Sequence, residues 1–151
     1  MLENKITRVC SPVDGELIAM EKVPDPVFSQ NMMGEGFAID PVNGRICSPI
    51  EGEVTVAFET GHAYGLKSPE GVEILVHFGL ETVKLKGEGI QMKVKVGDRV
   101  QIGDVLCEVD IDVIRNKVPS LITPVVVTSG HQVILGKQGY VNVADQVMTV
   151  Q

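Results

Sequence analysis

The phrase Cys10-Ser11-Pro12-Val13-Asp14-Gly15-Glu16 returns almost unchanged as Cys47-Ser48-Pro49-Ile50-Glu51-Gly52-Glu53. In each copy Pro and Gly fix a turn, and the residues that follow, 17–20 and 54–58, are strand formers. A chain punctuated in this way is committed to short strands joined by tight turns. A related pattern, Val94-Lys95-Val96-Gly97-Asp98-Arg99-Val100 and then Gly103-Asp104-Val105-Leu106, predicts a hairpin with glycines at its bends. Further strands are expected at 36–39, 64–67, 72–78, 125–128, 132–135 and 147–150. Helical periodicity is confined to 27–32 and 112–117, a turn or two each. The pattern implies an all-β fold, an antiparallel β-sandwich of the barrel-sandwich type.

With 151 residues, 44% of them hydrophobic, the chain can bury an ordinary core without metal or disulfide support. No linker or low-complexity stretch divides it, so residues 1–151 are expected to form a single domain. Aromatic residues make up only 4% and Trp is absent, which leaves the core to Val, Ile, Leu and Met. A net charge of -7 without clustered Lys and Arg argues against nucleic acid and for a basic or mixed-charge protein partner. Cys10, Cys47 and Cys107 are odd in number and widely spaced, with no CxxC pair and no secretory signal, so a cytoplasmic location is expected. No apolar run approaches the roughly 20 residues that a bilayer requires, so direct membrane insertion is not expected.

Chemistry is concentrated in the histidines. His62 and His77 lie in segments that read as adjacent strands, whereas His131, beside Gly130 in a polar turn, reads as ordinary. A neutral imidazole with an exposed lone pair is what phosphoryl transfer onto nitrogen requires, and a second imidazole could donate to the phosphoryl oxygens. Strand alternation puts Glu73, Leu75 and His77 on one face and Ile74, Val76 and Phe78 on the other, which is wholly apolar. If the strand runs through Gly61, then Phe58, Thr60, His62 and Tyr64 share a face, with Thr60 able to bond His62.

The stretch Gly71-Val72-Glu73-Ile74-Leu75-Val76-His77-Phe78-Gly79-Leu80-Glu81-Thr82-Val83, continuing Leu85-Lys86-Gly87-Glu88-Gly89, resembles the phosphorylation-site signature of glucose-type enzyme IIA of the bacterial sugar phosphotransferase system. Phe58-Glu59-Thr60-Gly61-His62-Ala63 is similar to that family's second-histidine segment, and Val23-Pro24-Asp25-Pro26-Val27-Phe28 to its partner-facing loop. The resemblance implies a phosphotransferase component in which His77 accepts phosphate at Nε2 from the histidine-containing phosphocarrier protein. It then passes the group to a cysteine on the IIB domain of a sugar permease, without a cofactor. It also implies that His62 steadies the phosphoryl group, that Thr60 orients His62, and that Asp25 and Glu81 flank the site. Val27, Phe28, Met32, Met33, Phe58, Leu75 and Val83 match or lie near the family's docking face.

Glu81 stands where the family commonly has Asp, Leu75 where a larger aromatic often occurs, Pro26 where an aliphatic is common, and Ile90 where Phe usually closes the Gly-rich segment. From sequence, none of these departures touches the two histidines; they bear on partner fit. Three other readings compete. A biotinyl or lipoyl carrier shares the repeated phrase, but needs an attachable Lys at a hairpin tip, which Gln91-Met92-Lys93-Val94 matches poorly. A zinc hydrolase would use His62 and His77 with Asp25 or Glu81 as third ligand, or zinc would sit between the two histidines only incidentally. A regulatory protein that has lost phosphorylation would not need both histidines.

Overall fold

The computed structural model describes residues 6–151. Fourteen short strands lie among them: β1 (Thr7–Cys10), β2 (Gly15–Ile18), β3 (Glu35–Pro41), β4 (Arg45–Cys47), β5 (Gly52–Ala57), β6 (Ala63–Lys67), β7 (Glu73–His77), β8 (Ile90–Met92), β9 (Arg99–Val100), β10 (Val105–Val109), β11 (Thr123–Val127), β12 (Val133–Leu135), β13 (Tyr140–Val141) and β14 (Gln146–Val150). Two four-residue helices, α1 (Pro26–Ser29) and α2 (Ile111–Ile114), interrupt them, with 3-10 turns at Met20–Lys22 and Thr82–Leu85.

All strand pairs are antiparallel. One large sheet runs β13-β2-β3-β11-β7-β6-β5-β9, and two small ones run β1-β14-β12 and β4-β10-β8. The inner face of the large sheet contributes Phe37, Ile39, Val54, Tyr64, Leu66, Ile74, Val76, Val125 and Val127 to the main core, against Val9, Ile46, Leu106 and Val147 from the small sheets. The result is an open antiparallel β-sandwich, as the alternation in the sequence implies.

The repeated phrase folds twice in the same way. Ser11 and Ser48 each donate their hydroxyl to the carbonyl two residues on, at 2.7 Å. Cys10 N–H donates to the Pro49 carbonyl and Cys47 N–H to the Pro12 carbonyl, at 2.8 and 2.7 Å, so the two copies clasp each other. Each also receives one Asp-centred turn. Ser11 N–H donates to the Asp145 carbonyl and Ser48 N–H to that of Asp104. In both turns the Asp carboxylate accepts from the backbone three residues back.

Two local expectations differ from the fold. The predicted hairpin around Gly97 and Gly103 does not form, because β9 pairs with β5 in the large sheet while β10 pairs with β4 and β8 in a small one. The Gln101–Asp104 turn is clamped to Ser48 and carries the chain between sheets. The strand through Gly61 also breaks: β5 ends at Ala57, Gly61 takes a φ of +77°, and its N–H donates back to the Phe58 carbonyl. Tyr64 therefore points into the core and does not share a face with His62.

Candidate functional site

The site forms where β7 ends on the outer face of the large sheet. Cross-strand pairing sets Val126 beside Leu75, Leu75 beside Gly65, and His77 beside Ala63, while Ile74, Val76 and Phe78 fill the core beneath. His77 is thus the last outward side chain of a strand whose other face is fully buried, and one core-anchored element holds its backbone.

Past the strand, Gly79 turns the chain with a φ of +65°, and its carbonyl returns to His77 Nδ1 at 2.7 Å. A carbonyl only accepts, so Nδ1 carries the proton and the Nε2 lone pair is left free. This backbone acceptor was missed in the sequence; the glycine two residues after His77 was its only signal. His62 enters from the Phe58–Gly61 turn, with its carbonyl accepting from Phe78 N–H at 2.7 Å. Its Nδ1 lies 2.6 Å from the Thr60 hydroxyl. The two imidazole centroids are 5.1 Å apart and nearly perpendicular. Phe58 meets the His62 ring edge-on at 5.2 Å, and Phe28 tilts against His77 at 5.4 Å.

Both rings are kept neutral. Burial, reinforced by the neighbouring His77, lowers His62 to about 4, and only 2% of that residue is exposed. Burial lowers His77 as well, opposed by the bond to Gly79 and by the charge of Asp25. His77 itself stays half-buried. Asp25 owes its place to helix capping: it is the N-cap of α1, accepting from Val27 N–H at 3.0 Å, with Pro26 at the first helical position.

The expected docking residues divide. Met32 is 68% exposed, Val83 53% and Phe58 44%, and Val27 and Met33 are exposed as well. Leu75 is half-buried. Phe28 differs from expectation: it is buried in a second apolar cluster with Met20, Val23, Ala38, Leu80 and Val126, so it walls His77 rather than offering surface. Glu81, two residues past Gly79, takes a left-handed conformation and is paired with Lys84.

The competing chemistries lack their requirements here. Among the described residues no group of three His, Cys, Asp or Glu side chains is placed to hold a metal, so the zinc-hydrolase reading has no ligand set. Lys93 is not at a hairpin tip, since its N–H donates to the Leu106 carbonyl and extends the β8–β10 ladder. All three cysteines are buried and free, and burial raises each thiol, Cys107 to about 12, which removes them as nucleophiles. Among the described residues no helix is long and apolar enough to cross a membrane.

Residues 7–133 match the family model described as phosphoenolpyruvate-dependent sugar phosphotransferase system, EIIA 1. The chain is 49% identical over 124 residues to the PTS system glucose-specific EIIA component of Halalkalibacterium halodurans, covering 82% of this chain and 72% of that one. It is 44% identical over 145 residues to the PTS system glucose-specific EIICBA component of Staphylococcus carnosus, covering 95% of this chain and 22% of that protein. Glucose permease IIA from Mycoplasma capricolum superposes with a TM-score of 0.93 at 39% identity, over 99% of both chains.

Proposed function

This chain belongs to the EIIA 1 family of the phosphoenolpyruvate-dependent sugar phosphotransferase system, and on that premise we propose that it acts from the cytoplasmic side as a single phosphocarrier domain, residues 1–151, with His77 as its phosphoryl acceptor. The donor is the histidine-containing phosphocarrier protein, and the acceptor is a cysteine on the IIB domain of a sugar permease, glucose being the sugar in its relatives' names. The observation that carries this reading is the His77 tautomer. With Nδ1–H committed to the Gly79 carbonyl, the Nε2 lone pair is left free on a ring that lies beside that of His62.

In the first transfer the Nε2 lone pair attacks phosphorus while the donor's N–P bond breaks, and the Gly79 carbonyl supports the positive charge that the ring acquires. The Thr60 hydroxyl lies 2.6 Å from His62 Nδ1, and in the tautomer that carries its proton on Nε2 the hydroxyl donates to Nδ1 while Nε2–H donates to the phosphoryl oxygens. In the second transfer the partner's thiolate attacks phosphorus, the bond to Nε2 breaks, and His77 returns neutral. The added group carries a charge of about -1.5 to -2. Asp25 and Glu81 raise the energy of that state and keep the group transferable. Val27, Met32, Met33, Phe58, Leu75 and Val83 form the apolar rim that excludes water during docking, and Phe28 supports it from below.

Transfer of 32P from the phosphocarrier protein tests the assignment. His77→Gln is expected to accept no label, whereas His62→Gln accepts label but passes it on poorly. Labelling of the His77 variant, or an exchange of the two phenotypes, would overturn it.

A further inference from the structure

We infer that Ile90 and Met92 of β8 are positioning residues for His62: their side chains close on Gly61 and hold the turn that aims the buried imidazole at His77. The inference rests on the role proposed above for His62. A Cβ on Gly61 would lie 2.9 Å from Ile90 Cγ2, 2.9 Å from Met92 Cγ and 3.5 Å from Met92 Sδ, so the two side chains fill the space over its α-carbon.

His62 is otherwise tied at three points: its carbonyl to Phe78 N–H, its Nδ1 to Thr60, and its ring to those of Phe58 and His77. Two of those ties, Thr60 and Phe58, belong to the turn itself and move with it. The freedom left is a swing of the turn off the sheet, and Ile90 and Met92 stand in its way. They are themselves fixed by the small sheet, where Ile90 faces Val109 and Met92 faces Cys107 across the β8–β10 ladder.

The Gly-rich segment before β8, which the phosphoryl chemistry does not use, delivers the strand to this position. Lys86, Gly87 and Gly89 all take positive φ values. A Cβ on Gly87 would lie 3.7 Å from the Thr60 carbonyl oxygen, and one on Gly89 would collide with Ile114 at 2.7 Å. The loop therefore passes between the Thr60 turn and α2, where bare α-carbons fit. Ile90, which from sequence was a departure remote from the histidines, touches the turn that carries one of them.

Ile90→Ala and Met92→Ala, singly and together, test the inference by thermal melting, by NMR titration of the His62 ring, and by rates of phosphoryl acceptance and onward transfer. The His62 midpoint is expected to move up from about 4 as water reaches the ring. Onward transfer is expected to slow roughly tenfold or more, the scale of a displaced catalytic group. Ile90→Val and Met92→Leu should restore both. A folded double variant whose His62 titrates as in the wild type overturns the inference, whatever its transfer rate. A moved titration with unaltered transfer upholds the positioning and removes the role given to His62. Met92 is more than a third exposed, so its single variant folds and is decided by the same titration.

Discussion

His62 is a titratable group whose burial disfavours its charged form, and this couples the stability of the fold to pH. Its pKa falls from 6.5 in the unfolded chain to about 4 in the fold, so between those values the unfolded chain binds more protons than the native one. The stability contributed by neutral His62 is therefore complete above pH 6.5 and is lost as pH falls toward 4; His77, shifted in the same direction, adds with the same sign. Asp14 acts lower: its carboxylate, stabilised first by Val143 N–H, contributes above 3.8 and loses that contribution only as pH falls below it. Urea denaturation across the upper window should show a loss on the order of 2 kcal/mol, and His62→Gln should remove most of that slope; an equal slope in the variant would mean that other groups carry it. The outward face of β7 was legible in the sequence because alternation in a strand leaves no choice once Ile74, Val76 and Phe78 are assigned to the core. The Gly79 carbonyl was not, because a backbone acceptor acquires its direction only when the turn closes.

At the level of strands and turns, two glycines that look alike in the sequence carry very different constraints. Gly36 lies within β3, where a Cβ would fall 1.9 Å from the Val125 carbonyl oxygen of the paired strand, a contact with backbone that no rotamer relieves. Gly71 closes the β6–β7 hairpin with a φ of +89° and nothing within 4 Å of its Cβ position. Gly71→Ala should cost about 1 kcal/mol, the strain of an L-residue at positive φ. Gly36→Ala should cost more than about 3 kcal/mol or prevent folding; urea midpoints measure both, and equal effects would contradict the sheet geometry. The same distinction governs what could be read in advance. Strand positions followed from turn residues and β-branched runs, and α1 from the helical periodicity over 27–32, whereas its Asp25 cap emerged only in the fold. The pairing of β9 and β10 was misjudged because it is decided by Ser48, which holds the Gln101–Asp104 turn from far along the chain. Likewise the strand that could have run through Gly61 breaks there, because Gly61 takes a positive φ and its N–H closes a turn onto the Phe58 carbonyl.

For the molecule as a whole, the two clasped copies of the repeated phrase tie the ends of the two small sheets together, and the proposed docking surface lies on the opposite, outer side of the large sheet. The chain as a whole carries a net charge of -7, and Asp25 is close enough to His77 to act on its titration. A partner carrying basic groups is drawn to such a field over distances set by the Debye length, about 10 Å at 0.1 M salt, so its association rate should fall as salt rises. Asp25→Asn isolates the charge, because Asn caps a helix as well as Asp does and α1 keeps its start. Glu81→Gln differs, since it also releases Lys84 and places an unpaired cation on the rim. Stopped-flow association with the phosphoryl donor should therefore show a shallower salt dependence for both Asp25→Asn and Glu81→Gln, each of which removes one negative charge, with the rates of wild type and variants converging at high salt. At low salt each change should slow association several-fold, the scale of one rim charge. Salt profiles that coincide for all three proteins would mean that docking is governed by the apolar rim of Met32, Met33, Phe58 and Val83 alone, and the carboxylates would then act only on the energy of the phosphorylated state.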